Sequence, residues 1–314
     1  WSGWLLPALP GFVGCRVGWG IVHRRWGRCG PTAGLLMEYW PHDGSRLCRA
    51  RRNDCLLDHK VVGAVYIEMY SGDIETALPA LEAAVEKVTR AGAIPIVLGG
   101  DHSIAFPDAK GVANVLGHGR VSMLHFDAHA DTGDIEFGSL WGHGQPMRRL
   151  IESGALRGDR FLQIGLRGYW PPPATLDWMA GQGMRSYEMT EIGRRGLPEC
   201  LTEAFAIAID ECDGVFLSVD IDVCDPGHAP GTGTPEPGGL SARELLDSVR
   251  RICLELPVVG ADVVEVSPPY DHSDITAALA NRVVLEALSA IARRRQDVRD
   301  STRWNPAQPL LDGR

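Results

Sequence analysis

From residue 61 onward the chain alternates short apolar runs with amphipathic stretches. Val61 to Ile67 predicts a strand, and Ile74 to Ala91 a helix that gathers Leu78, Leu81, Val85 and Val88 on one face. Ile94 to Leu98 predicts a buried strand, closed by Gly99-Gly100 and followed by a helix reaching Leu116. Further strands are expected at Val121 to Phe126, Phe161 to Leu166, Val215 to Val219 and Val258 to Val266, and helices from Glu199 to Glu211, Ala242 to Leu256 and Ile275 to Arg295. Near-continuous apolar strands in βα alternation imply the α/β class: a single three-layer αβα domain with a mostly parallel sheet. The polar, Pro-containing stretch 296–314 reads as an exposed tail.

The first sixty residues follow another pattern. They carry 9 basic and 4 acidic side chains against 22 and 36 in the remainder, and five of the nine Trp fall before residue 41. No sustained strand or helix period orders them. Residues 1–60 therefore read as an atypical segment, a basic arm or, preferably, a misfolded or out-of-frame stretch, ahead of a catalytic domain at 61–295. The uncharged opening up to Val13-Gly14-Cys15 could pass for a lipoprotein signal, but it begins with Trp and lacks a positively charged start.

Composition narrows the function classes. With 45% hydrophobic and 23% charged residues over 314 positions the chain is globular, and it has no run of about 18 uncharged apolar residues to span a bilayer. A net charge of −9 offers no footprint for phosphate backbones and suits a cationic small substrate, so neither nucleic acid nor membrane is expected as a partner. Eight scattered Cys without a Cys-x-x-Cys pair read as reduced thiols of a cytoplasmic protein.

Four segments bearing acids or His follow four of the strands, at the sheet edge where ligands bind in such folds. They are Gly99-Gly100-Asp101-His102-Ser103, Asp127-Ala128-His129-Ala130-Asp131, Ser218-Val219-Asp220-Ile221-Asp222 and Glu265-Val266-Ser267-Pro268. Residues two apart in extended chain point the same way, so Asp127, His129 and Asp131 can converge, as can Asp220 and Asp222. With His102 they make four carboxylates and two imidazoles at one edge. Such a cluster repels itself unless cations sit within it, and an oxygen-rich set without thiolate favours Mn²⁺ over structural zinc. The Gly-rich stretch Pro230 to Gly239 lacks the Gly-Lys-Ser/Thr ending of a phosphate loop.

These segments resemble the ureohydrolase family of arginases, agmatinases and guanidino-acid hydrolases, across about residues 60 to 295. The resemblance rests on Asp127 to Asp131, Ser218 to Asp222 and the run from Asp225-Pro226 to Gly239, and His143-Gly144-Gln145-Pro146 and Glu265 to Asp271 lean toward its agmatinase branch. It implies an arginase-like fold and two Mn²⁺ per subunit, one held by His102, Asp127, Asp131 and Asp220, the other by His129, Asp127, Asp220 and Asp222. It further implies a shared water made nucleophilic by the metals, Glu265 pairing with the guanidinium, Asp131 carrying the proton and His143 shuttling it to solvent. Thr234 and Trp141 are expected near the substrate, and a homo-oligomer, trimer or hexamer, is expected. The N-terminal sixty residues depart from the family's opening motifs, of which only Arg25 to Pro31 retains a likeness.

The substrate's far end is the open choice. Where arginases grip an α-amino acid, this chain has Gly133 in one loop and Gly168, Trp170 and Pro173 in another, which argues against arginine. Asp134 or Glu136 could meet the ammonium of agmatine; Arg148, Arg149 or Arg167 could meet the carboxylate of a guanidino acid such as 4-guanidinobutyrate. Acidity favours agmatine, cleaved to putrescine and urea. Two further readings compete: a single-zinc deacetylase of related fold, disfavoured by the complete second set of ligands, and a non-catalytic guanidine-binding subunit.

Overall fold

The computed structural model describes residues 11–17, 47–48, 53–54, 62–69 and 73–295. Within them an eight-stranded sheet is formed by β1 (Gly11–Val17), β2 (Val62–Met69), β3 (Ile96–Leu98), β4 (Val121–Phe126), β5 (Phe161–Ile164), β6 (Arg185–Tyr187), β7 (Gly214–Asp220) and β8 (Val258–Val264). Its order is β2-β1-β3-β8-β7-β4-β5-β6, and every pairing is parallel. Leu47–Cys48 and Asn53–Asp54 pair separately as a short antiparallel ladder.

The helices are α1 (Ile74–Arg90), α2 (Ala105–Leu116), α3 (Pro146–Glu152), α4 (Pro173–Gly181), α5 (Met189–Arg195), α6 (Leu197–Ala208), α7 (Ala242–Glu255) and α8 (Ile275–Arg295). Strand side chains alternate between two apolar layers, as the pleat requires. Val97, Val121, Met123, Phe216 and Val264 pack with α1, α2 and α3, whereas Ile96, Leu98, Leu124, Phe126, Leu217 and Val263 pack with α6, α7 and α8. By length and apolar composition α8 could cross a membrane, but most of it is buried, as a core helix is. Helix α7 begins with a full capping box between Ser241 and Glu244.

The βα alternation and the central strands follow the sequence pattern. Gly11–Val17 differs: it forms a strand between β2 and β3, within the segment where no period was found. Its neighbours supply the pairing that its own Gly-rich sequence does not announce. The remainder of the expectation for residues 1–60, and that for the tail at 296–314, lies outside the described residues.

Candidate active site

The four signature segments follow β3, β8, β7 and β4, which lie side by side in the middle of the sheet. Adjacent parallel strands end on the same edge, so the topology alone delivers His102, Glu265, Asp220 and Asp127 to one place. Side chain to backbone bonds then set each carboxylate. Asp127 Oδ1 accepts the N–H of His129 (2.6 Å), Asp220 Oδ1 that of Asp222 (2.8 Å), and Asp222 Oδ1 that of Ala128 (3.1 Å). Their second oxygens converge on two imidazoles.

His102 Nδ1 lies 3.2 Å from Asp127 Oδ2, 2.9 Å from Asp131 Oδ2 and 3.2 Å from Asp220 Oδ2. His129 Nδ1 lies 3.0 Å from Asp222 Oδ2 and 3.5 Å from Asp127 Oδ1. Metal bonds of about 2.1 Å at right angles put neighbouring ligand atoms about 3 Å apart, the spacing seen here. Although buried and ringed by three carboxylates, His102 Nδ1 makes no hydrogen bond. An orphaned nitrogen lone pair among carboxylate oxygens fits a divalent cation. Two sets emerge, one around His102, Asp127 and Asp131 and one of Asp127, His129 and Asp222, sharing Asp127. Asp220 joins the first through His102.

The electrostatics carry the same strain. Burial and the charges of Asp222 and Asp127 hold Asp220 well above the ordinary carboxylate range, and burial beside Asp127 raises Asp222. Asp127 is driven well below that range: burial opposes this, but His125, His102 and His129 outweigh it. Burial alone would lower His129, yet Asp127 and Asp222 push it up to about 11. Such opposed shifts mark a cluster whose carboxylates call for positive charge among them. Two of the candidate residues also have left-handed backbone, Asp131 at φ 52° and Glu265 at φ 62°, a strained conformation found where a site fixes a side chain's aim.

A cavity of about 610 Å³ opens over the cluster. His102, His129, Asp131 and Asp220 line it, with Glu265, Thr234, His143 and Glu136 around them and Trp170 to Pro172 along another side. Glu265 Oε1 accepts the His102 N–H (2.7 Å), and burial followed by repulsion from Asp101 pushes its carboxyl up to about 8. Thr234 Oγ1 donates to Asp222 Oδ2 (3.2 Å). His143 is exposed at the pocket.

The Arginase family profile matches residues 14–290. The chain belongs to the arginase family. It is 39% identical over 235 residues to proclavaminate amidinohydrolase of Streptomyces clavuligerus, covering 74% of this chain and 72% of that one, and 38% identical to guanidino acid hydrolase of Homo sapiens (74% and 64%) and agmatinase of Gallus gallus (73% and 66%). The solved structure of the Streptomyces clavuligerus protein superposes with TM-score 0.79 at 33% identity over 91% of this chain and 92% of the other.

Against the other arginase-family expectations the structure sets several corrections. Trp141 does not line the pocket; it packs on Phe106, ring centroids 5.2 Å apart, and Trp170 is the indole at the cavity. Arg167 cannot receive a substrate carboxylate. Its guanidinium donates to the carbonyls of Gly165, Asp222, Val223, Cys224, Glu236 and Pro237, tying three loops together. Arg148 and Arg149 are likewise turned away, paired with Asp134 and Glu152. Asp134 is thereby engaged, although it lines the pocket.

The sequence reading missed a buried row beneath the ligands. Gln163, His125, Ser218 and Asp262 are register partners across β5, β4, β7 and β8, and none is exposed. Gln163 Nε2 donates to Ala130 O (2.7 Å) and faces His125 Nδ1 (3.3 Å), so His125 carries its proton on Nε2 and donates to Asp127 Oδ2 (2.8 Å). His125 therefore orients a carboxylate and is no ligand, despite its nearness to the first set. Polar residues inside otherwise apolar strands were the available signal.

Proposed function

We propose that the protein hydrolyses a linear guanidino compound with a cationic far end, agmatine to putrescine and urea foremost, using two Mn²⁺ held by His102, Asp127, His129, Asp131, Asp220 and Asp222. The observation that carries the choice is Glu136. Its carboxylate folds over Gly133 and Gly144: a Cβ on Gly133 would stand 2.3 Å from Glu136 Oε1, and one on Gly144 2.8 Å from Oε2. Glycine at both positions makes room for an acid that faces the cavity. Among the described residues no Lys or Arg lines that cavity. This half-buried carboxylate would be repelled by a guanidino acid's own carboxylate, whereas an ammonium pairs with it.

When bound, two divalent ions supply a water made nucleophilic near neutral pH. The chain's own residues do the rest. Glu265 pairs with the guanidinium and sets its carbon over the cluster; its Oε1 is anchored by the His102 N–H, and Oε2 lies toward Gly233. The tetrahedral adduct needs a proton on the departing amine, which Asp131 delivers and His143 exchanges with solvent. Trp170 and Pro171 give the methylene chain an apolar wall.

Urea release with Mn²⁺ from agmatine, 4-guanidinobutyrate and arginine tests the reading. Agmatine should have the highest kcat/KM. Guanidinobutyrate as best substrate overturns the far-end assignment alone; binding of all three with no urea overturns the hydrolase.

A further inference from the structure

Three of the buried polar positions, His125, Ser218 and Asp262, stand on adjacent strands two residues from Met123, Phe216 and Val264, and so share the sheet face covered by α1 to α3. Gln163, the register partner of His125 on β5, shares that face, which is otherwise apolar. Helix α2 answers it with Asp108, fully buried. Five polar groups in an apolar layer are costly unless they satisfy one another.

The bonding order can be read from donors and acceptors. Ser218 Oγ donates to Asp262 Oδ1 (2.8 Å), and that oxygen also accepts the Val219 N–H (3.2 Å). The only proton of the hydroxyl is then committed, so at 2.9 Å Ser218 Oγ accepts from His102 Nε2. His102 Nε2 is thereby engaged by Ser218, and Nδ1 faces the carboxylate-ringed position. Asp262 Oδ2 and Asp108 Oδ2 are both buried with no donor from elsewhere, and Asp108 Oδ1 accepts the Ala109 N–H (2.6 Å). Burial and the neighbouring Asp262 lift Asp108 well above the carboxylate range, and burial raises Asp262 as well.

We propose that Asp262 and Ser218 form a positioning relay that holds the His102 ring through Nε2, so that Nδ1 is presented to the carboxylate-ringed position as a metal ligand. Neither touches substrate. The inference rests on His102 being a ligand.

Calorimetric titration of Mn²⁺ into the metal-free full chain is the test. Ser218→Ala and Asp262→Asn should weaken one of two binding steps by about 10- to 100-fold, the loss typical when a ligand's outer partner is removed, and leave the other within about threefold. Unchanged binding in Ser218→Ala overturns the relay. So does equal loss at both steps with a fall in the melting temperature of the metal-free chain, which marks general damage. If Asp262→Asn does not fold, Ser218→Ala, which removes one hydroxyl, decides alone. Wild-type protein that binds no divalent ion refutes the ligand reading itself.

Discussion

His143 stands at the pocket wall, exposed and outside the carboxylate cluster. A proton shuttle placed there contributes to turnover without holding metal. His143→Asn should therefore lower kcat by about 10² to 10⁴ with manganese content unchanged, as measured by metal analysis beside steady-state kinetics. Loss of metal would assign it to ligation. Glu136 makes a different prediction, because its charge and not its volume is at issue. Glu136→Gln should lower kcat/KM for agmatine by about 10- to 100-fold, the range of a charge-assisted hydrogen bond, and leave 4-guanidinobutyrate unaffected or improved. At this scale the convergence of the candidate ligands was legible because strand-end motifs place alternate side chains on one point. Trp141 and Arg167 were not legible as what they are. An aromatic or a cation beside a motif does not reveal whether it faces the cavity, and Arg167 spends its donors on backbone carbonyls that no sequence pattern displays.

At the scale of elements, the short edge strand β6 has only three residues, and ion pairs help to hold it. Glu191 of α5 accepts from Arg185 (2.6 Å) and Arg195 (2.6 Å), and Arg195 also reaches Glu203 of α6 (2.7 Å). Hydrogen bonds from Arg185 and Arg195 lower Glu191 from 4.5 to about 2. A carboxylate depressed on folding contributes stability above its unfolded pKa and loses it as pH falls through the folded one. Glu191→Gln should thus destabilise the protein by up to about 1 kcal/mol at pH 7, since the network is largely solvent-screened, and the gap to wild type should close between pH 4.5 and about 2. Denaturant melts at several pH values measure it; a gap constant with pH would exclude the charge as its source. Elements with long apolar runs, such as β4, β7 and α8, were readable from their periodicity, whereas β6, α4 and α5 were not. Three residues show no period, and α4 and α5 bury few side chains of their own.

Across the whole molecule, the ligand cluster joins the ends of β3, β4 and β7, which are not consecutive in the sheet, because β8 lies between β3 and β7. Cations bound there cross-link segments that begin at His102 and end at Asp222, over a third of the chain. They also relieve the repulsion among Asp127, Asp131, Asp220 and Asp222, to which the metal-free protein responds by raising Asp220 and Asp222. Unfolded chain offers no such preformed set, so metal at about 100 times its Kd should stabilise by about 2.7 kcal/mol per site. For a domain of this size that is roughly 4 to 5 °C in melting temperature per site. Chelation should lower the Tm by at least that much, and Mn²⁺ should restore it with saturation near two ions per chain. Asp127→Asn, which removes the carboxylate common to both sets, should melt nearly alike with and without chelator. If instead that variant keeps the full metal-dependent rise, Asp127 is not what joins the two sets, and the stabilisation must come from a site elsewhere in the fold.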